Sequence, residues 1–336
     1  MRVLVTGGAG YVGSVSVEAL VDAGHDVVVL DDLSKGHRAA VVASARLAVG
    51  SYGDATGLRA LLAATPIDAV LHCAARSLVG ESIVEPAIYY RENVAGGVTL
   101  LEALREAGVR RLVFSSTAAV YGAPTSIPIP EDAALAPINP YGETKRSFEG
   151  ALRWYAGAYG LRSVSLRYFN VAGASLLNGE VHDPETHLIP NVLAAIEGHR
   201  ELTVYGTDYP TPDGTCIRDY IHVEDLARAH LLALEATAPD DARTAGPDGG
   251  AAAIALNLGN GGGFSVHQVL EAAETATGRP VPHAIGPRRA GDPPVLVADA
   301  GRARDVLGWV PAHPELGEIV ATAWTWRSGH PTGYGA

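Results

Sequence analysis

The segment Tyr141-Gly142-Glu143-Thr144-Lys145 places a phenol and an ammonium group four residues apart. On a helix, this spacing puts both side chains on one face and one turn apart. A free phenol has a pKa of about 10, so its use as a base near neutrality requires a decrease of about three units, or roughly 4 kcal/mol. A fixed ammonium nearby favours the phenolate. The segment therefore predicts a proton-transfer pair, although an exposed Tyr and Lys on an amphipathic helix give the same pattern.

Residues 111–116 form a mainly apolar run that is typical of a buried strand. Side chains with hydroxyl groups lie at the end of this run and directly after it. Thr117 comes next, and open α/β sheets bind ligands at the carboxyl ends of their strands. The Thr117 hydroxyl can relay a proton or orient a hydroxyl group of a substrate. Capping of a helix or turn explains Ser115 and Ser116 adequately, so Thr117 is the candidate site residue.

A glycine-rich turn, Gly7-Gly8-Ala9-Gly10-Tyr11-Val12-Gly13, follows a predicted strand and opens a predicted helix. Glycine lets the backbone approach a pyrophosphate, and the helix N-terminus offers unpaired N–H groups to the anion. Asp31 ends the second strand, 18 residues after Gly13, where a carboxylate binds a ribose 2′-hydroxyl and repels a 2′-phosphate. The pattern favours NAD over NADP, a preference that Lys35 and Arg38 weaken slightly. The alternative is a structural turn with a solvated Asp.

The elements that position these residues alternate between apolar β-branched runs and helical periods. That pattern predicts an α/β protein with a Rossmann-type, doubly wound parallel sheet. We predict an NAD-binding domain over about residues 1–170, to which later segments can return, and a smaller C-terminal α/β substrate lobe over 171–336. Residues 237–253 lack the apolar periodicity to pack and are predicted to form a mobile surface loop. The predicted strands lie at 2–6, 27–30, 69–72, 111–116 and 163–167, and the predicted helices at 14–23, 88–106, 148–159, 224–234, 266–277 and 316–327.

Composition and charge exclude several classes of protein. The chain has 336 residues, 47% of them hydrophobic, and a formal net charge of −12. This charge repels nucleic acid and anionic lipid, so a bound phosphate must meet a local cationic site. No apolar run reaches the roughly 18 residues of a membrane span, and the N-terminus lacks a signal-peptide core. Cys73 and Cys216 lie far apart without metal-ligand spacing, so we expect a cytoplasmic protein without nucleic-acid or membrane partners, disulfides or a metal.

Together, the three motifs resemble the extended short-chain dehydrogenase/reductase family, and further segments resemble its UDP-sugar 4-epimerase members. The resemblance spans nearly the whole chain. Its additional segments are residues 79–82, 93–94, 167–174, 183–190, 205–211, 214–223 and 288–292. Ser51 and Ser77 depart from the pattern, because many members have Asp and Lys there, and we expect a lower cofactor affinity from that difference.

The resemblance implies an NAD-dependent isomerase that interconverts UDP-glucose and UDP-galactose through a transient 4-keto sugar. It also implies a homodimer joined through the helices near 88–106 and 148–159. The implied catalytic residues are Thr117, Tyr141 and Lys145. The implied NAD-binding residues are Gly7, Gly10, Tyr11, Val12, Gly13, Asp31, Asn93, Tyr141, Lys145 and Tyr168. The implied UDP-sugar-binding residues are Thr117, Asn170, His187, Leu188, Arg218, Arg289, Asp292 and Leu296.

Three alternatives stay open at this stage. A nucleotide-sugar 4,6-dehydratase resembles this pattern but carries an acid pair just after the catalytic Thr, where this chain has Ala118 and Ala119. A 4-epimerase of UDP-N-acetylglucosamine, a UDP-pentose or UDP-glucuronate fits the motifs equally. A non-catalytic NAD-binding regulator is disfavoured because Thr117, Tyr141 and Lys145 are all retained. By resemblance, Leu296 is a gate of intermediate size beside the sugar C2 substituent, so we expect UDP-glucose to be preferred over UDP-N-acetylglucosamine.

Overall fold

A computed structural model describes residues 1–246, 248–289 and 292–335. The described strands are β1 (Arg2–Thr6), β2 (Asp26–Asp31), β3 (Arg46–Val49), β4 (Ala69–His72), β5 (Arg111–Ser115), β6 (Arg162–Tyr168), β7 (Asn170–Ala172), β8 (Thr203–Tyr205), β9 (Ile217–Arg218), β10 (Tyr220–His222), β11 (Ala253–Leu258), β12 (Phe264–Ser265), β13 (Ala284–Gly286) and β14 (Val295–Leu296). The described helices are α1 (Tyr11–Asp22), α2 (Ala55–Ala64), α3 (Val79–Val84), α4 (Pro86–Tyr89), α5 (Gly97–Glu106), α6 (Pro140–Tyr159), α7 (Leu188–Ile196), α8 (Val223–Ala236), α9 (Val266–Thr277), α10 (Gly301–Leu307) and α11 (Leu316–Gly329). Within the described part of the chain, no helix combines the length and apolar character needed to cross a membrane.

The centre of the fold is a seven-stranded sheet in the order β11-β6-β5-β4-β1-β2-β3. All its neighbouring strands run parallel. Its central strands β1, β2 and β4 are mainly apolar, as expected where both faces are covered. One face packs against α1 and α8, and the other against α2, α5 and α6. The order in which strands are added reverses between β1 and β4: β2 and β3 extend the sheet to one side, and β4, β5 and β6 extend it to the other. Sheets of this kind bind ligands at such a switch point. The predicted doubly wound Rossmann-type sheet is confirmed.

Two strands of the sheet were missed from the sequence. β3 (Arg46–Val49) is a short edge strand without a fully buried side chain, so its pattern is weak. β11 (Ala253–Leu258) pairs with β6, although more than 80 residues of chain separate the two strands. The strands predicted from the sequence end at residue 167, so this edge of the sheet was not among them. Local periodicity cannot reveal a strand that returns after an intervening lobe.

Helix boundaries differ from prediction mainly at N-termini. The helix predicted at 148–159 begins at Pro140, because Asn139 caps it: the Asn139 amide oxygen accepts a hydrogen bond from the N–H of Gly142 at 2.8 Å. The single helix predicted at 88–106 is α4, a π-helical stretch (Tyr90–Gly96) and α5 in succession. The extension of α6 matters most, since it brings Tyr141 and Lys145 onto the helix.

The C-terminal lobe is built on a separate apolar core between α7, α9 and α11. Small sheets flank it, formed by β7 with β10, by β12, β9 and β14, and by β8 with β13. The predicted mobile loop at 237–253 is wrong in part. A short 3-10 turn, Ala242–Thr244, buries Thr244, and an Arg162 Nη1 donates to the carbonyl oxygens of Asp241 and Thr244. Pro247 of that loop lies outside the described residues.

Candidate active site

The turn between β1 and α1 requires glycine for steric reasons. Gly7 has φ +73, and a Cβ there would lie 2.5 Å from the backbone nitrogen of Ala74. A Cβ on Gly13 would lie 2.0 Å from the carbonyl oxygen of Gly7, whereas at Gly10 the corresponding distance is 3.5 Å. Because α1 begins at Tyr11, the N–H groups of its first turn face the loop without intrahelical acceptors. Their partial positive charge suits a pyrophosphate.

Tyr11 and Val12 contribute to this turn through different atoms. The Tyr11 hydroxyl donates a hydrogen bond to the carbonyl oxygen of Gly173 at 2.7 Å, so its side chain connects α1 to the segment after β7. Val12 packs on the apolar core beneath α1. The backbone N–H groups of these residues are therefore the atoms that can meet a phosphate.

Asp31 ends β2 beside this turn and is 8% exposed. One carboxylate oxygen accepts from the N–H of Ala9 at 3.0 Å, and the other from the N–H of Leu33 at 2.8 Å. Burial raises the pKa of Asp31, and these two backbone bonds oppose the shift. A carboxylate has about four lone-pair sites, so capacity remains for the hydroxyls of a ribose. The turn, the helix N-terminus and Asp31 together fit a dinucleotide.

Lys145 is buried behind the C-terminal ends of β4 and β5. Its Nζ donates to the carbonyl oxygen of Ser115 at 2.7 Å and lies 5.9 Å from the centre of the Tyr141 ring. Burial lowers the pKa of Lys145 to about 8. The ammonium is thus fixed near the phenol, as the four-residue spacing predicts.

Thr117 follows β5 in an extended conformation and caps the 3-10 turn Ala118–Tyr121. Its hydroxyl oxygen accepts from the N–H of Ala119 at 3.1 Å. Burial raises the pKa of the Tyr141 phenol, while hydrogen bonding with Thr117 lowers it in part. The structure therefore brings Thr117, Tyr141 and Lys145 together at the carboxyl edge of the sheet.

Asn93 and Tyr168 border this group. The Asn93 amide exchanges hydrogen bonds with the backbone of Arg76 at 2.8 and 3.0 Å and donates to the Thr144 hydroxyl at 3.0 Å. These contacts fix the loop after β4 against α6. Tyr168 ends β6, where burial raises its pKa. The cofactor contacts of both side chains stay predictions.

A buried ion pair supports the catalytic edge and was missed from the sequence. Arg167 Nη2 lies 2.6 Å from a Glu149 carboxylate oxygen, and both side chains are 4% exposed. The same carboxylate accepts from the Ser116 hydroxyl, one residue before Thr117. Removing one partner of such a pair leaves an uncompensated buried charge. The available signal was Arg167 itself, a charged residue inside a strand predicted to be buried.

Several predicted substrate residues form a continuous path from the catalytic turn. Leu296 and Phe169 pack against the cluster that contains Tyr121. Leu296 pairs with Arg218 across β14 and β9, and the Arg218 guanidinium forms a salt bridge with Asp292. Asn170 begins β7 directly after Phe169 and donates its N–H to the Asp219 carbonyl at 2.9 Å.

The remaining predicted substrate residues lie at the start of α7 and after β13. His187 directly precedes α7, contacts Glu180, and has a half-exposed side chain. Leu188 begins α7 and packs on the lobe's apolar core. Arg289 is exposed, and its guanidinium carbon lies 4.2 Å from the centre of the Tyr205 ring. Ala290 and Gly291 of the predicted 288–292 segment lie outside the described residues.

Fold and site together define an enzyme of the extended short-chain dehydrogenase/reductase class. Residues 3–245 match the NAD dependent epimerase/dehydratase family, and the chain belongs to that family. It is 52% identical over 335 residues to a UDP-glucose 4-epimerase from Streptomyces lividans, covering 99% of this chain and 98% of the relative.

Solved structures give the same family placement. The structure of UDP-glucose 4-epimerase from Brucella ovis in complex with NAD is 46% identical to this chain, with a TM-score of 0.91 and coverage of 97% of this chain and 98% of that one. The enzyme from Bifidobacterium longum, in complex with NAD+ and UDP, is 35% identical, with a TM-score of 0.91 and coverage of 99% and 100%.

Proposed function

We propose that this chain is an NAD-dependent epimerase that interconverts UDP-glucose and UDP-galactose through a transient 4-keto sugar. The observation that carries the proposal is the meeting of Thr117, Tyr141 and Lys145 beside a turn that fits a dinucleotide. The Streptomyces lividans UDP-glucose 4-epimerase, 52% identical over nearly the full length of both chains, supports it.

NAD is the proposed cofactor, held by the glycine turn, by the N–H groups of Tyr11 and Val12, and by Asp31. When bound, it supplies a hydride acceptor and donor for C4 of the sugar, so the overall reaction consumes no reductant. The Asp31 carboxylate is held by two backbone N–H groups at the position expected for the ribose 2′-hydroxyl. A 2′-phosphate there would be repelled by the carboxylate, which supports NAD over NADP.

Tyr141 is the proposed general base. Its phenolate takes the proton of the sugar 4-hydroxyl, and the nearby Thr117 hydroxyl orients that hydroxyl or relays the proton. Burial alone works against this role by raising the pKa of Tyr141. The Thr117 hydrogen bond opposes this increase, and we assign a further stabilisation of the phenolate to the Lys145 ammonium, which the Ser115 carbonyl fixes 5.9 Å from the ring centre.

The C-terminal lobe is the proposed UDP-sugar site. Arg218 and Arg289 supply the local cations that a diphosphate needs in a chain with net charge −12. We assign residues 1–170 together with α8, α10 and β11 to the cofactor-binding unit, since α8 packs on α1, β11 pairs with β6, and α10 packs on both α8 and β11. The other segments of 171–336 form the substrate lobe.

A homodimer is the proposed assembly, joined through the helices near 88–106 and 148–159. Large side chains on these helices are exposed, including Trp154 at 80%. Tyr159 and Val98 are also exposed on the same two segments. Light scattering after gel filtration tests the assembly, and cell fractionation tests the cytoplasmic location predicted from the sequence.

The function is tested by incubating the purified protein with UDP-galactose and separating the 4-epimers. Parallel incubations use UDP-N-acetylglucosamine, a UDP-pentose and UDP-glucuronate. We expect UDP-glucose to form without added cofactor or reductant, because the enzyme recycles the nucleotide it holds. Absence of turnover with added NAD+ would overturn the proposal, and faster turnover of another UDP-sugar would reassign the substrate.

A further inference from the structure

Four side chains that can bind a metal meet in the loop before α7. Glu180, His182, Glu185 and His187 each offer one ligand atom, and these atoms all lie within 4.8 Å of one another. Both imidazoles present Nδ1 to the same carboxylate oxygen of Glu180. The expectation of no metal rested on the wide separation of Cys73 and Cys216.

The spacing of the ligand atoms suits a small tetrahedral ion. Bonds of about 2.0–2.2 Å to nitrogen and oxygen ligands place neighbouring ligand atoms roughly 3.4 Å apart. His182 Nδ1 lies 3.1 Å from Glu180 Oε1 and 3.7 Å from Glu185 Oε2, and His187 Nδ1 lies 3.6 Å from Glu185 Oε1. The contact between His187 and Glu180 is closer and must lengthen when an ion enters.

One atom of this cluster, among the described residues, lacks a well-aligned hydrogen bond. His182 Nδ1 is buried, yet among the described residues no group meets it with hydrogen-bonding geometry, despite the 3.1 Å distance to Glu180. The carboxylates of Glu180 and Glu185 face this nitrogen at 3.1 and 3.7 Å, and a metal ion placed among them would coordinate its lone pair. Glu180 is also mostly buried, with a side chain 6% exposed, and two metal-bound carboxylates balance a divalent charge.

Contacts with the nucleotide-binding half hold the loop in place. The Lys35 ammonium donates to the Asp183 carbonyl, and a His37 ring nitrogen lies 3.3 Å from the Val181 carbonyl oxygen. The Glu185 carboxylate accepts from the N–H groups of Thr186 and His187 at 2.7 and 2.8 Å, which orients it before any ion binds. The half-exposed His187 gives an ion access from solvent.

We propose that Glu180, His182, Glu185 and His187 bind a zinc ion. Two imidazoles and two carboxylates favour zinc over magnesium or calcium, which prefer oxygen ligands. The ion stabilises the 180–187 loop where it lies against α1, since the His182 ring meets the Tyr11 ring edge-on at 6.3 Å. This site does not depend on the chemistry proposed for Thr117, Tyr141 and Lys145, but it includes His187, which the family resemblance assigns to the UDP-sugar.

The direct test is the zinc content of the protein, measured by mass spectrometry before and after dialysis against a chelator. The protein carries no affinity tag, since a tag could bind zinc itself. We expect about one zinc per chain, lost on chelation and regained from zinc chloride. Cobalt(II) in its place should give the intense visible absorption of a four-coordinate site. Zinc should also raise the thermal unfolding temperature of the chelated protein.

His182→Ala and Glu185→Gln are the test variants, and His199→Ala is the matched control. His199 also contacts a carboxylate, with its Nδ1 3.3 Å from Glu197, but that pair lies outside the cluster. We expect the test variants to lose more than the roughly 10–100-fold in zinc affinity that an outer contact costs, and the control to bind normally. Circular dichroism without zinc establishes that each variant folds. Equal zinc binding in all three variants, or none in the parent protein, would overturn the proposal.

Discussion

Gly142 packs directly on the backbone of Ala119: a Cβ at position 142 would lie 2.5 Å from the Ala119 carbonyl oxygen. Gly142 sits in the first turn of α6, next to Tyr141, whereas Ala119 belongs to the turn that Thr117 caps. The absence of a side chain at residue 142 therefore allows the start of α6, with Tyr141, to pack closely against the turn after Thr117.

Replacing Gly142 with Ala should separate these segments. Alanine favours a helix by about 1 kcal/mol relative to glycine, but here its methyl group collides with a carbonyl oxygen that cannot move freely. We expect turnover to fall at least 10-fold, because a displacement of about 1 Å at a catalytic group can cost 100-fold. Steady-state rates and urea unfolding measure the two effects.

Gly157→Ala is the matched control on the same helix. A Cβ at residue 157 meets no heavy atom within 4 Å, so alanine should stabilise the protein by about 0.5–1 kcal/mol and leave turnover unchanged. Equal activity of the two variants would show that the close approach at Gly142 does not position Tyr141.

Tyr141→Phe keeps the ring and removes the proton acceptor. Turnover should fall by at least about 100-fold, the usual contribution of a general base. Tyr159→Phe, at the other end of α6, should retain full activity because that side chain is exposed. A Tyr141→Phe enzyme with nearly normal turnover and an unchanged unfolding transition would exclude Tyr141 as the base.

Arg289→Ala should raise KM for the UDP-sugar with little change in kcat, because the diphosphate it is expected to meet does not change during the reaction. Arg288→Ala tests whether the increase in KM depends on the position of Arg289 or only on the loss of one positive charge. Arg288 is already engaged with Asp208 and lies 4.4 Å over the Tyr209 ring, so its loss should change KM less. Equal increases in KM would indicate a general electrostatic effect.

Leu296→Ala should widen the sugar pocket. Leu296 is half-buried beside Phe169 and packs on the cluster with Tyr121, so its neighbours yield reluctantly to a larger substrate. Fitting extra atoms against packed side chains typically costs about 1–3 kcal/mol. We expect kcat/KM for UDP-N-acetylglucosamine to rise relative to UDP-glucose in the variant. If the ratio stays constant, Leu296 is an ordinary packing residue.

Buried histidines should make stability depend on pH. Burial lowers the pKa of His72 and of His230 to about 3, whereas an unfolded chain titrates near the ordinary value of 6.5. Between these pH values the unfolded state binds more protons than the folded state, so acid favours unfolding. The free energy of unfolding is therefore undiminished by these histidines above about pH 6.5, and it decreases as the pH falls towards 3. Well below pH 6.5, each histidine changes the free energy of unfolding by roughly 1.4 kcal/mol per pH unit.

Urea unfolding between about pH 7.5 and 4.5 measures this slope. His230→Gln should reduce the slope, although it also weakens contacts with the hydroxyls of Ser16 and Ser115. His199→Gln should not change it, because His199 is exposed. A slope that is the same in all three proteins would show that His230 is not the group responsible.

The sequence alone determined those features that depend on short spacings along the chain. The glycines of residues 7–13 and Asp31 define one strand-turn-helix-strand unit, and Tyr141 and Lys145 lie one helical turn apart wherever that helix packs. The apolar runs at 2–6, 69–72 and 111–116 indicated a buried parallel sheet, since such strands are covered on both faces. These inferences required no knowledge of distant contacts.

Only the tertiary structure decided which distant segments meet. It placed β11 beside β6, packed Gly142 on Ala119, paired Glu149 with Arg167, and folded residues 180–187 so that two imidazoles face one carboxylate. Such contacts depend on closing long loops and burying shared surface, and neither is encoded in the period of a single segment. The type of chemistry could therefore be predicted from the sequence, whereas the packing of the whole chain determined the positions of the groups that support the catalytic residues.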